Sequence, residues 1–537
     1  MPLKLSALIP LLLSLGLLLI GGTGCVAVRT NVKKTVSYAI TEPETTPLGR
    51  VFSSNLQRHP DESGFRILEY GREALLARAV LADAATQTID AQYYIYDPDA
   101  AGSLLVQRLI AAADRGVRVR LLIDDNNLGD DKEMAALCVH HNIEVRVFNP
   151  FRFRARWARL PQYAINFDRL IRRMHNKIFI VDNVVSIIGG RNIGNVYFNL
   201  DTSSNFRDFD LLMAGPVTHR ASTAFDDYWN SAWSVPATAL VKKEPTREDF
   251  DALSGQIDQR IKSIEGLDFP STSLRGDYLR ELETEPDALI WAKGEVITEP
   301  PRKIQLVSRK TTLVSNRLAE EWERTKSELL IECAYLVPTR QVDKALRSLR
   351  DQGVAVKVMT SALDATDVPL VYTAYTRHRR ALLRAGIELY EYKGTPASVQ
   401  AERKWYKTRS SLSALHSKAI VFDRQRVWIG SFNLDPRSVN LNTEIAVLVE
   451  SERLAGQMAD YIAEDFSPKR SWRVQLHEVP WSKPRSPKRG NSVREFITWM
   501  GEENGKPAVR YRQPASSGWQ RLKETFYSLI PGIENQL

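Results

Sequence analysis

Two short segments of this 537-residue chain place an imidazole, an ammonium group and a carboxamide at matching spacings. The first holds His175, Lys177, Asp182, Gly189-Gly190 and Asn192; the second holds His416, Lys418, Asp423, Gly430-Ser431 and Asn433. Each pair is separated by the same offset (416 − 175, 418 − 177, 423 − 182 and 433 − 192 all give 241). Two ammonium groups, two amides and two imidazoles converging on one point suit a tetrahedral oxyanion. Phosphate is the natural candidate, because charge spreads over its non-bridging oxygens during transfer. One His can attack phosphorus while the other, protonated, delivers a proton to the departing alkoxide. The nucleophile must be neutral and the acid charged, so the surroundings must push the two imidazoles apart.

The elements that position these groups read as strands. An apolar, β-branched run follows each His-x-Lys, and on a strand residues i and i+2 share a face, so His and Lys project together. Asp182 and Asp423 belong to the catalytic motif but have the opposite parity, which predicts that they support the site from behind. The small pairs end the next apolar strand and let the backbone, Asn192, Asn433 and Ser431 approach the phosphate closely. Asp208 and Glu444 each follow a motif and open a further apolar strand. They are the expected orienters of the imidazoles, each acting from the opposite half. One His per segment with no neighbouring ligand at the usual spacing argues against a metal, and no cofactor is expected.

The duplication extends beyond the motifs. Residues 88–96, 104–114 and 115–123 read as strand, helix and strand, and residues 328–338, 342–350 and 352–359 repeat the pattern. Strands alternating with helices argue for an α/β class. The predicted organisation is a linker over 26–63, a first half over 64–235 and a connecting insertion without repeat counterpart over 236–305. A second half follows over 306–467, then a basic tail over 468–537 whose Trp519, Leu522, Phe526, Leu529 and Ile530 form a helical stripe. Asp124-Asp125-Asn126-Asn127 reads as a strand-end turn with capping side chains.

Lys and Arg number 73 against 64 Asp and Glu, a net charge of +9, which favours an anionic membrane surface or nucleic acid as partner. Basic, aromatic arms precede each His, at 151–157 with Arg172-Arg173 and at 403–409. Three cysteines are too few for a disulfide framework, and Cys138 and Cys333 read as buried reduced thiols. Lys4 precedes a thirteen-position apolar run, Leu8 to Ile20 (20 − 8 + 1), too short for the roughly 20 residues of a membrane span. Small residues and Cys25 follow. Residues 1–25 thus resemble a bacterial lipoprotein signal, with Gly22 where that signal usually carries Leu. The expectation is an exported chain, lipidated at Cys25 and tethered on the periplasmic side of a cell membrane.

The two His-x-Lys-x4-Asp-x6-Gly-Gly/Ser-x-Asn signatures at 175–192 and 416–433 resemble those of the phospholipase D superfamily, and family-like features run from about residue 64 to 467. Asn149-Pro150-Phe151, Gly189 to Gly194 and Asn442-Thr443-Glu444 look most like the bacterial cardiolipin synthases of the C type. The resemblance implies two α-β-α sandwich halves related by a pseudo-dyad, with one active site at their interface. It also implies a metal-free phosphohistidine mechanism, with His175 as nucleophile and His416 as acid/base, and phospholipid substrates. A hydrolytic phospholipase D shares every catalytic residue and is the first alternative. A nuclease or a non-catalytic lipid-binding protein is less well supported by the apolar N-terminus and by the completeness of both motifs.

Overall fold

A computed structural model describes residues 32–127, 130–154, 162, 167–263, 272–285, 287–305, 313–394, 412–480 and 493–514. One strand order is laid down twice. In the first half, Ser63–Leu68, Asp210–Ala214, Val185–Gly189, Ile178–Val181 and Thr88–Ile95 pair antiparallel in that order. Arg118–Asn127 and Ile143–Phe148 then continue parallel, and Ser234–Pro236 closes the edge antiparallel. The second half repeats this with Ile290–Thr298, Ile445–Glu450, Arg426–Gly430, Lys418–Phe422, Glu328–Cys333, Ala355–Ser361, Glu388–Tyr392 and Ser471–Pro480.

Period-two alternation sorts the side chains between layers. Ile178 and Ile180 enter a core shared with Ala419, Val421, Val427, Ile429, Ile445 and Val447 of the other half. Phe179 and Val181 point the other way, into a core with the helices Gly71–Ala84 and Ala100–Asp114. Ile420 and Phe422 likewise enter the outer core of the second half. Each fully buried aliphatic side chain contributes about 1.5–3 kcal/mol, so the shared core fixes the spacing of the two motifs. Each motif Asp opens a tight hairpin: Asp182-Asn183 and Asp423-Arg424 all have φ between 51 and 54°. Two successive positive φ values make a type I′ turn, which Asp and Asn tolerate.

Three expectations about organisation change. Ile290–Thr298 lies within the segment that sequence left without a repeat counterpart, yet it takes the place in the second sheet that Ser63–Leu68 takes in the first. It also pairs with Ser63–Phe65 and so joins the two sheets. Strand equivalence needs only alternation, so no residue match betrays it. The 26–63 linker, where described, is bound to the body: the Ala39 amide donates to Asp226 (2.9 Å) and the Ser37 carbonyl accepts from Arg120 (2.8 Å). Its Pro47 starts the helix Pro47–Arg58, capped by Thr46. The basic tail is also structured at its start. Ser471–Pro480, Val493–Glu503 and Lys506–Arg510 extend the second sheet, burying Trp472, Val474, Ile497 and Trp499. The stripe at 519–530 and residues 1–25 lie outside the described residues, and among those described no helix is long and apolar enough to cross a membrane.

Candidate active site

Backbone pairing between the halves delivers each His to the opposite carboxylate. Leu412–Leu415 pairs parallel with Ser204–Arg207, so His416 follows one strand and Asp208 the other. The His416 amide then donates to the Arg207 carbonyl (2.9 Å). The mirror arrangement is shorter: Met174 bridges Thr443, and the His175 amide donates to the Thr443 carbonyl (2.9 Å). His175 Nδ1 consequently lies 2.9 Å from Glu444 Oε2, and His416 Nδ1 lies 2.6 Å from Asp208 Oδ2. A carboxylate only accepts, so each Nδ1 carries the proton and each Nε2 is left as the nitrogen that can meet phosphorus.

Lys177 Nζ donates to the His175 carbonyl (2.7 Å), and Lys418 Nζ does the same at His416. All four side chains are buried, His175 at 8% and His416 at 5% exposure. Burial pushes the His175 imidazole down to about 4; Glu444 opposes this, while Lys177 and Lys418 add to it. His416 is lowered by burial and Lys418, against Asp208 and Asp367. Lys177 falls to about 7, chiefly by burial. Burial works to raise Glu444 and Asp208, but the imidazole and lysine beside each outweigh it and hold both carboxyls below their ordinary range. The resting site therefore has ionised carboxylates behind neutral imidazoles. Asp208 and Asp367 both act to favour the charged imidazole at His416, whereas at His175 two lysines work against the single carboxylate Glu444.

The remaining expected residues divide. Among the described residues, Asn433 Oδ1 accepts only a long contact from the Cys333 thiol (3.9 Å), which leaves its amide group available to a phosphate oxygen. Asn192 is tied to the protein at both ends, accepting from the Ile95 amide (3.1 Å) and donating to the Tyr197 hydroxyl (3.0 Å). Ser431, expected on the phosphate, instead gives its hydroxyl to Glu444. Its counterpart Gly190 has no room for a side chain, because a Cβ there would meet the Asp208 carboxylate at 2.2 Å. Asp182 lies outside the reacting cluster and accepts from Thr86 N (2.9 Å), Thr86 Oγ1 (3.0 Å), Gln87 N (2.8 Å) and Thr88 N (2.8 Å). Asp423 accepts from the amides of Lys326, Ser327 and Glu328 in the same manner. Asp182→Ala is expected to lower stability by about 3 kcal/mol through these orphaned donors. Urea unfolding reads this, and an unchanged midpoint with activity lost would return the Asp to the reacting groups.

Asp124 and Asp125 are buried within the strand Arg118–Asn127 rather than in a turn at its end. Asp124 accepts from the Met174 amide (2.9 Å), while Asp125 takes Arg154, which also binds Asp131 (2.7 Å). Arg154 of the first arm is thus already committed within the protein. Residues 155–157 and the second arm at 403–409 lie outside the described residues, as does Cys25. Among the described residues, no group of three His, Cys, Asp or Glu could hold a metal ion.

Aromatic rings wall the site. Tyr94 stands edge-on to His175 (5.0 Å between ring centres) with Lys177 over its face (5.4 Å). Tyr335 stands edge-on to His416 (6.4 Å) with Lys418 over its face (5.8 Å). The two tyrosines keep the motif offset (335 − 94 = 241). The repeat offset, applied to the strands before each motif, is the signal that would have found them.

The family model described as "cardiolipin synthase, PLD-like domain" matches residues 79–229 and 318–466, together more than half of the chain. The chain belongs to this family. It is a phospholipase D-type phosphatidyltransferase. Cardiolipin synthase C of Escherichia coli is 37% identical over 487 residues, covering 88% of this chain and 96% of that protein. The major cardiolipin synthase ClsA of Bacillus subtilis is 24% identical over 431 residues, 78% of this chain and 73% of that one. The crystal structure of phosphatidylserine synthase from Haemophilus influenzae shares the fold, with a TM-score of 0.52 at 13% identity, over 79% of this chain and 91% of that one.

Proposed function

We propose that this protein makes cardiolipin from phosphatidylglycerol and a second phospholipid through a phosphohistidine intermediate. The observation that carries this reading is the pair of buried imidazoles, each held by a carboxylate of the opposite half beside a lysine. The phosphodiester anion is a counter-charge for the two lysines. His175 Nε2 attacks phosphorus, the bond to the head-group oxygen breaks, and His416 gives that oxygen its proton. His416, now neutral, takes the proton of the incoming glycerol hydroxyl, whose oxygen bonds to phosphorus as the P–N bond to His175 breaks. Lys177, Lys418 and the Asn433 amide hold the non-bridging oxygens as charge builds on them. The similarity to two cardiolipin synthases supports the choice of lipid. The lipoprotein-like sequence of residues 1–25, ending in Cys25, is what supports a tether on the periplasmic face of a membrane.

Purified protein in mixed vesicles of phosphatidylglycerol and phosphatidylethanolamine, with EDTA, is expected to form cardiolipin. Phosphatidic acid as the sole product would make it a hydrolase, and cleavage of an oligonucleotide with inert lipids would make it a nuclease. The mass of the mature chain reads the tether, since a Cys25 without a diacylglyceryl group removes it.

A further inference from the structure

The repeat that places Tyr94 and Tyr335 also places a polar partner on each hydroxyl, and there the symmetry is broken. Asn126 and Asp367 are separated by the same offset (367 − 126 = 241). Asn126 Nδ2 lies 2.7 Å from the Tyr94 hydroxyl. The Tyr335 hydroxyl lies 2.8 and 2.7 Å from the two oxygens of Asp367. A carboxylate accepts at about four lone-pair positions, so one tyrosine proton leaves most of that capacity open. Asp367 is exposed while Tyr335 is half-buried, so the acidic partner lies on the solvent side of a ring that stands against His416. Asp367 is near enough for its charge to act on both His416 and Tyr197, and Asp97 acts on Tyr197 as well. On the other wall the equivalent position carries a neutral amide, and the backbone leading to His175 is crossed by Arg437, whose Nη2 is 2.8 Å from the Ile171 carbonyl. Among the described residues, the Tyr335 hydroxyl therefore meets a carboxylate where the Tyr94 hydroxyl meets an amide.

We propose that the Tyr335–Asp367 pair is the head-group subsite, which takes the hydrogen-bond-donating end of the alcohol that leaves or enters. This rests on His416 being the acid/base of the transfer, because the alcohol oxygen must lie against that imidazole in both steps. The chemistry shared by the candidate head groups is a donor a few bonds from the reacting oxygen: a second hydroxyl in a glycerol head group, an ammonium in ethanolamine. Asp367 accepts from that donor and turns the alcohol oxygen toward His416 Nε2. Water fills the same space but cannot reach both His416 and Asp367 at once, so the pair favours an alcohol over water at the intermediate.

The full chain is assayed as wild type, Asp367→Asn and Asp367→Ala, in vesicles of phosphatidylglycerol and phosphatidylethanolamine and with bis(p-nitrophenyl) phosphate. The nitrophenyl diester has no donor to offer Asp367. Asp367→Asn keeps an acceptor for the Tyr335 hydroxyl, which separates loss of charge from loss of the tyrosine's position. The expected result is a fall of about tenfold in phospholipid turnover relative to the nitrophenyl diester. A parallel fall is expected in the ratio of cardiolipin to phosphatidic acid. Both ratios staying within about twofold of wild type in the two variants would overturn the proposal. A wild-type chain that releases head groups without forming cardiolipin defeats the cardiolipin reading, while the first ratio still decides the role of Asp367.

Discussion

His175→Ala is expected to abolish turnover of every phosphodiester, a loss on the order of 10^4-fold or more, because no other group can form the P–N bond. His416→Ala is expected to cost a similar factor on a phospholipid, whose alkoxide must be protonated as it leaves. The two variants part company on bis(p-nitrophenyl) phosphate. Nitrophenolate leaves without a proton, so His416→Ala still forms the intermediate and then stalls for want of a base. Rapid mixing should show a burst of about one nitrophenolate per chain with His416→Ala, and none with His175→Ala. The proposed order is supported by the electrostatic surroundings: His175 is pushed down to about 4 by burial, against the pull of Glu444 and with Lys177 and Lys418 adding to the push. Above that value it is neutral and nucleophilic. His416 has a second carboxylate, Asp367, in range, which acts to favour its charged form. A burst in His175→Ala instead would reverse the roles. Steady turnover in either variant would sink the two-histidine scheme.

The fold class and the cross-half pairing of Asp208 and Glu444 with the imidazoles were legible because the duplication is preserved in residue type as well as pattern. Strand parity also placed Asp182 and Asp423 behind the site. It could not show what they do there, since their work is a type I′ turn and a set of donors from a loop some 95 positions away, Thr86 to Thr88. Ile290–Thr298 escaped for a different reason: its equivalence to Ser63–Leu68 lives in sheet order, which tolerates any alternating sequence. Ser431 was misplaced because a hydroxyl beside a glycine at a strand end serves equally well on a ligand or on a carboxylate. Only the distance to Glu444 decides. Asn192 was assigned from symmetry with Asn433, and Tyr197 breaks that symmetry where the second half has the small Ser438 at the same offset (438 − 197 = 241).

The asymmetry at Gly190 and Ser431 yields the other large effect. Asp208 is short enough that its carboxylate fills the space over Gly190, whereas the longer Glu444 is held by the Ser431 hydroxyl. Glu444→Gln preserves shape but removes the charge that balances the imidazolium-like nitrogen formed when His175 bonds to phosphorus. It also allows the amide to donate and so turn the imidazole to the wrong tautomer. The expected cost is on the order of 10^3-fold in kcat with KM little changed, comparable in origin to the carboxylate-to-amide change in a serine protease triad. Ser431→Ala touches no reacting atom and is expected to cost about tenfold, the worth of one hydrogen bond to a charged group. If the hydroxyl acts only by holding Glu444, the double variant should be no slower than Glu444→Gln alone. Losses that multiply would mean that Ser431 reaches the phosphate after all. Thermal melting separates either result from unfolding: an isosteric amide at a buried carboxylate keeps the packing, so kcat must fall while the folded fraction at assay temperature does not.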